Sequence, residues 1–167
     1  VVSMRDALPE ATSFFARPIL DSKSFAGAVF DRQDFMDWKR RVVVLEQGSM
    51  IDADTMIQIC PLKTIQAEYR FFVVNGRIST ASMYRSGGQA FFKNVDDKGL
   101  WRYLHDYVNA RIAEWNPVGS MCLDVAETPD GLRIVEINTL NSSGFYDADM
   151  QRLVMDLEDA YDLQALP

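Results

Sequence analysis

Between Cys122 and Asn138 the chain reads Cys122-Leu-Asp-Val-Ala-Glu-Thr-Pro-Asp-Gly-Leu-Arg-Ile-Val-Glu-Ile-Asn138, two alternating runs joined by Pro129-Asp130-Gly131. Pro, Asp and a Gly free to adopt positive φ suit a three-residue hairpin loop ending in a bulge, which makes Thr128 and Leu132 the flanking pair. Counting outward sets Asp124 opposite Glu136 and Cys122 opposite Asn138. On the other face Leu123 and Val125 meet Ile137 and Val135. A two-residue Asp-Gly loop would put Leu123 opposite Asn138 and mix the faces, so the three-residue loop is preferred. Carboxylates opposed directly across strands repel one another unless a cation lies between them. Asp124, Glu136 and Asn138 offer only oxygen ligands, which suit Mg²⁺ better than Zn²⁺ or copper. A solvated sheet face without a ligand is the alternative. The segment Thr139-Leu-Asn-Ser-Ser-Gly-Phe-Tyr146 that follows is polar and contains Gly, in the manner of a ligand-facing loop.

A second hairpin is signalled by Asn75-Gly76 in the type I′ position between Gln66–Val74 and Arg77–Arg85. With Val74 paired to Arg77, Glu68 opposes Met83, Arg70 opposes Ala81 and Gln66 opposes Arg85. Gln66, Glu68, Arg70 and Arg85 then share one face, and Tyr69, Phe71 and Val73 read as core on the other. A guanidinium suits a pair of phosphate oxygens, and a nearby Glu can accept from ribose hydroxyls. A mixed-charge solvated face is the competing explanation.

Lys23 lies in a small-residue loop, Asp21-Ser-Lys-Ser-Phe-Ala-Gly27, whose amides and ammonium could hold a phosphate, although the spacing is not that of a P-loop. Cys60-Pro61-Leu62 ends a strand and could border a purine, or simply terminate the strand. No His or basic cluster lies near Cys60 in sequence to lower its pKa and make it a nucleophile.

The elements that must position these groups follow from periodicity. Residues 13 to 20, 42 to 46 and 56 to 60 read as strands. Asp31 is placed to cap a short helix with Phe30 and Phe35 as a hydrophobic staple, and Phe35 and Trp38 share one face of it. Apolar residues recur at helical spacing from Asp97 to Trp115 and again from Met150 to Tyr161. Strands with interspersed helices and antiparallel hairpins make the chain α+β rather than doubly wound.

The 167 residues suffice for one domain or one domain of two lobes, and 48% hydrophobic content excludes disorder. A net charge of −7 is unlike a surface built for nucleic acid, so any phosphate binding must be local. Apolar runs such as Val42-Val43-Val44-Leu45 are too short to cross a bilayer, and no signal-peptide pattern is present. Two cysteines make no disulfide framework, and a single His supports neither a His-based metal site nor a Ser-His-Asp triad. A reducing cytoplasmic setting is the expectation. The start at Val1, leading quickly into Phe14-Phe15-Ala-Arg-Pro, suggests that an upstream portion is missing and that the apolar surface it covered could support a homodimer.

Taken together, Arg17-Pro18, Asp21-x-Lys23-x-Phe25-x-Gly27, Glu68-Tyr69-Arg70-Phe71-Phe72-Val73, Arg85, Asp124 and Val135-Glu136-Ile137-Asn138 resemble, in order, the ATP-grasp superfamily. The similarity is greatest to the clade named for two arginines and one lysine, common in phage and bacteria, and it covers roughly residues 14 to 155. It implies two α+β lobes with antiparallel sheets, residues 1–62 and 63–167, gripping ATP between them, without the preceding domain that such proteins usually carry. By position, Arg17 and Lys23 would contact nucleotide, Cys60 to Leu62 would border adenine, and Glu68 would bind ribose. Arg70 and Arg85 would address phosphates, and Asp124, Glu136 and Asn138 would hold Mg²⁺. The implied activity is carboxylate-amine ligation of small-molecule acids and amines through an acyl phosphate. A phosphotransferase or a non-catalytic nucleotide-binding module is the alternative. Cys60-Pro61 departs from the acidic residue found at this place in many members.

Overall fold

A computed structural model describes residues 1–20, 24–44 and 50–161, with only the backbone of Ser142. The chain forms two compact units, Val1–Lys63 and Thr64–Pro167.

The first unit is a four-stranded antiparallel sheet in the order β1 (Val2–Ser3), β4 (Met56–Pro61), β2 (Ser13–Pro18), β3 (Ala28–Asp31), with one helix, α1 (Arg32–Val43). Asp31 caps α1 by accepting from the Asp34 amide at 2.9 Å. Phe30 and Phe35 close the staple around it, their rings 5.6 Å apart and edge to face. The expected strand over 42 to 46 is not formed at its start: Val42 and Val43 end α1, and Leu45 and Glu46 lie outside the described residues. Val42 continues the helical face of Phe35 and Trp38 and is buried with Met4, Phe14, Ala16 and Ile57. Burial of that face overrides the strand preference of the β-branched run.

The second unit is a five-stranded antiparallel sheet, ordered β7 (Gln89–Asn94), β6 (Arg77–Ser86), β5 (Ala67–Val74), β8 (Met121–Thr128), β9 (Gly131–Asn138). Strand β7 has no counterpart in the sequence reading. Its signal is Gly87-Gly88, which turns the chain with both residues at positive φ, 57° and 79°. One face of the sheet carries Tyr69, Phe71, Val73, Met83, Leu123 and Val125 under α2 (Arg102–Glu114). That helix starts later than Asp97 because the Asp97 side chain accepts from the Gly99 and Leu100 amides and holds a turn there. The other face is divided. At one end Phe72, Val74 and Cys122 pack with Leu153 of α3 (Met150–Tyr161), and the rest is polar.

Both hairpins depart from simple counting. Between β5 and β6, Val74 faces Arg77 as expected, but Ser79 and Tyr84 are extra residues at two irregularities. Arg70 therefore faces Ser82 rather than Ala81, and Arg85 faces Glu68 rather than Gln66. Between β8 and β9 the loop is two residues long, with Thr128 paired to Gly131 instead of Leu132. The residue thus displaced is recovered at Val135, which has no partner across the strand. Val125 faces Ile134, and Val135 is exposed instead of meeting it. Beyond this bulge Asp124 faces Glu136 and Cys122 faces Asn138, as counted from the sequence.

Asn75 and Gly76 have φ of 45° and 72°, the type I′ geometry, and a Cβ on Gly76 would lie 3.2 Å from the Asn116 amide nitrogen. Gly76→Ala is expected to cost about 1–2 kcal/mol, measured as a lower urea midpoint with an unchanged slope.

Candidate functional site

The polar end of the second sheet is built on a direct cross-strand pair, Arg70 on β5 opposite Asp124 on β8. Arg70 Nε donates to Asp124 Oδ1 at 2.8 Å and Nη2 donates to Oδ2 at 2.7 Å, a side-on fork. Both side chains are buried, 9% and 3% exposed. Arg70 Nη1 donates to the Gly144 carbonyl at 3.3 Å. Of the five guanidinium N–H groups, these bonds use three and leave one on each terminal nitrogen. Hydrogen bonding to Asp124 pushes the Arg70 pKa further up, so the group is a permanent cation. Burial pushes the Asp124 carboxyl above its ordinary value, and the Arg70 hydrogen bonds and charge pull it back.

Glu68, two residues along β5, is also buried. Its Oε1 accepts from Arg85 Nη1 at 3.0 Å and its Oε2 from the Tyr84 hydroxyl at 2.9 Å. Strict alternation would send Tyr84 and Arg85 to opposite faces. The irregularity at Tyr84 lets both reach Glu68. The Tyr84 hydroxyl also lies 3.5 Å from Asp124 Oδ2, joining the two ion pairs into one network. Arg85 keeps half of its side chain exposed.

Across β8 and β9, Glu136 is exposed and accepts from Asn138 Nδ2 at 2.7 Å. Its charge is close enough to Asp124 to raise that carboxyl further. Arg70 reaches Asp124 from the strand on the other side and compensates its charge there, not between the opposed carboxylates. Among the described residues no three His, Cys, Asp or Glu side chains converge as a metal cage. Two carboxylates and an amide on adjacent strands remain a donor set that fits a hard cation completing its shell with water and phosphate oxygens.

In the first unit, Cys60 faces Phe15 and Gln58 faces Arg17, so Arg17 and Cys60 share the sheet face turned away from Phe14, Ala16 and Ile57. Arg17 donates from Nε to the Gln58 side chain at 3.1 Å, and Leu62 is about half exposed. Lys23 lies outside the described residues. Burial pushes the Cys122 thiol up, so this cysteine is not poised as a thiolate.

Counting did not find Tyr84, Phe92, Gly144 and Tyr146. Tyr146 stacks on Tyr84 at 5.0 Å and on Phe92 at 5.3 Å, and Arg70 Cζ lies within 6 Å of both tyrosine rings. For Gly144 and Tyr146 the sequence signal is the Gly-containing loop after Asn138, whereas Tyr84 and Phe92 lie on β6 and β7, outside it.

This architecture is the ATP-grasp fold. The chain is similar to D-alanine--D-alanine ligase from Bacillus anthracis complexed with ATP, with TM-score 0.55 and 11% identity over 89% of this chain and 50% of that one. It is similar also to a RimK domain ATP-grasp protein from Sphaerobacter thermophilus, with TM-score 0.55 and 17% identity over 88% and 50%. A third likeness is to the ATP-grasp ligase PsnB complexed with its minimal precursor, with TM-score 0.53 and 15% identity over 86% and 48%. The chain thus spans about half the length of these solved structures. Residues 2–157 match the ATP-grasp domain family that is third in the clade named for two arginines and one lysine, and the chain belongs to that family. No curated protein matches it in sequence. No helix among the described residues is long and apolar enough to cross a membrane.

Asp124→Asn should destabilise the second unit by about 3–5 kcal/mol, because it leaves a buried guanidinium without its counter-charge. Glu136→Gln, at an exposed position, should change stability by less than about 0.5 kcal/mol. Urea unfolding measures both, and an Asp124→Asn variant as stable as wild type would contradict the dependence. Burial raises the phenols of Tyr69 and Tyr84 above their ordinary value, Glu127 adding to the first and Asp124 and Glu68 to the second. A folded pKa above the unfolded one contributes stability that is fully present below about pH 10 and is lost as pH rises through the folded value. Tyrosinate absorbance should therefore rise gradually for exposed tyrosines and then in one cooperative step with unfolding. In the Tyr69→Phe, Tyr84→Phe double variant that step should lose two phenolates.

Proposed function

We propose that this chain carries the nucleotide and phosphate site of an ATP-dependent carboxylate-amine ligase. The observation that carries the reading is the state of Arg70: a buried, permanently charged guanidinium is fixed side-on by Asp124 with an N–H left on each terminal nitrogen. A preorganised cation of this kind stabilises charge developing on a transferring phosphoryl group. Arg85, half exposed two positions from Arg70 on the paired strands, supplies a second cation. Glu68, when Arg85 turns to phosphate, has a carboxylate oxygen for ribose hydroxyls. Asp124, Glu136 and Asn138 would hold Mg²⁺, whose charge neutralises phosphate oxygens.

Residues 1–62 and 63–167 are read as the two ATP-grasp lobes. Arg17 and Lys23 are assigned to nucleotide contacts and Cys60 and Leu62 to the adenine border, by membership of the family. In the reaction a carboxylate oxygen of the acid attacks the γ-phosphorus, the bond to the β,γ-bridging oxygen breaks, and ADP leaves. The amine nitrogen then attacks the acyl carbon, the bond to the phosphate oxygen breaks, and inorganic phosphate departs as the amine loses a proton. Catalysis rests on positioning and charge, so no protein nucleophile is required. That solved structures of this fold include ligases, one of them complexed with ATP, supports the reading.

Calorimetric titration with a non-hydrolysable ATP analogue should show Mg²⁺-dependent binding, weakened at least tenfold in Glu136→Ala. Equal binding in that variant would remove Glu136 from the metal set, and no binding by wild type would sink the nucleotide reading. ADP and inorganic phosphate should be released only when both an acid and an amine are present. Phosphate retained on a hydroxyl acceptor would instead identify a phosphotransferase.

A further inference from the structure

Tyr146 has φ of 55°, in the left-handed region that a bulky side chain rarely occupies. The chain on its C-terminal side is pinned to the sheet. The Asp147 amide donates to Ser82 Oγ at 3.2 Å, Asp147 Oδ2 accepts from the Asn94 amide at 2.8 Å, and the Asp149 amide donates to Thr80 Oγ1 at 2.8 Å. These bonds hold the strained residue in place. Such strain is maintained where the surroundings over-determine it, and it concentrates at functional positions.

What the left-handed turn achieves is visible in the rings. Tyr146 is laid between Tyr84 and Phe92 with interplanar angles of 17° and 25°. Arg70 Cζ lies 5.3 Å from the Tyr146 centroid and 5.6 Å from that of Tyr84. Phe92 and Tyr146 are 56% and 42% exposed, so the stack buries little apolar surface and is a poor device for building a core. Arg70 also reaches into the same loop through its bond to the Gly144 carbonyl.

We propose that Tyr146 is a positioning residue for Arg70. From its left-handed backbone, the stacked ring restricts the guanidinium to the plane in which it grips Asp124, so that its two remaining N–H groups face an oxyanion in a fixed fork. The use of that fork rests on the reading of Arg70 as a phosphate-binding group. The positioning is a property of the chain alone.

Arginine Nε–H resonances of the free chain test it, with the Arg70 signal assigned by its loss in Arg70→Lys. The signal should be displaced by ring currents and protected from exchange, and both properties should survive Tyr146→Phe. In Tyr146→Asn, which tolerates left-handed backbone but lacks the ring, exchange should be at least roughly tenfold faster. If that variant does not fold, Phe92→Leu removes only the outer ring and should move the signal in the same direction. An unchanged shift and exchange rate in the folded variant overturns the proposal. Nucleotide affinity gives a second arm: Arg70→Lys and Tyr146→Asn should each raise the analogue Kd roughly tenfold, and the double variant no further than either. Additive losses overturn the positioning while keeping Arg70 in the site. No loss in Arg70→Lys overturns the phosphate reading instead, and the resonance arm then decides on Tyr146 alone.

Discussion

The ion pair between Arg70 and Asp124 constrains the whole second unit. Two charges removed from water incur a large desolvation cost, recovered only if their geometry is near ideal and their remaining hydrogen-bonding groups find partners. The pair meets this demand with a two-bond fork, the Gly144 carbonyl and the nearby Tyr84 hydroxyl. Because the partners stand directly opposite on neighbouring central strands, any slip of β5 against β8 would separate them. That register is guarded from beneath. Tyr69 and Phe71 on β5 and Leu123 and Val125 on β8 alternate with the charged residues and are buried under α2, and a slip of one residue would turn the apolar pair of the strand that moves to the polar face.

The same pair changes how the opposed carboxylates are understood. Asp124 and Glu136 do face one another, yet they do not meet as two uncompensated anions, because a guanidinium reaches Asp124 from the neighbouring strand. The network therefore has a buried half that is complete in the folded chain and a more open half, exposed Glu136 and Arg85 with half-buried Asn138, whose oxygen atoms and charge can exchange partners. Rigid charge stands beside adaptable charge, and the proposed binding of a polyanion with its counter-ion draws on both.

Alternation and turn chemistry made much of this legible in the sequence. Asp31 with Phe30 and Phe35 specified a helix start through local rules alone, and Asn75-Gly76 specified a turn because both residues accept positive φ. Glu68, Arg70 and Arg85 were placed on one face for a sound reason but with the wrong partners, since counting assumes uninterrupted pairing and nothing local announced extra residues at Ser79 and Tyr84. Val42 was misread because a β-branched run carries a strand preference that only burial against Phe14 and Ile57 reverses. Tyr146 was out of reach for a different reason. Its position depends on hydrogen bonds that Asp147 and Asp149 make with Ser82, Asn94 and Thr80, residues more than fifty positions away in the chain.

The unpaired residue at Val135 gives the second hairpin a further property. Since the loop after Thr128 is one residue shorter than the turn sequence suggested, the hairpin carries its surplus within the strand rather than at the tip. Pairing on the two sides of Val135 is thereby decoupled. Changes of length at the Pro129-Asp130 tip can be absorbed by drawing this slack in or letting it out, and the stretch from Asp124 to Cys122 need not move. A change at the tip of the hairpin can thus be taken up at Val135 before it reaches the pairing of Asp124 with Glu136 and Cys122 with Asn138.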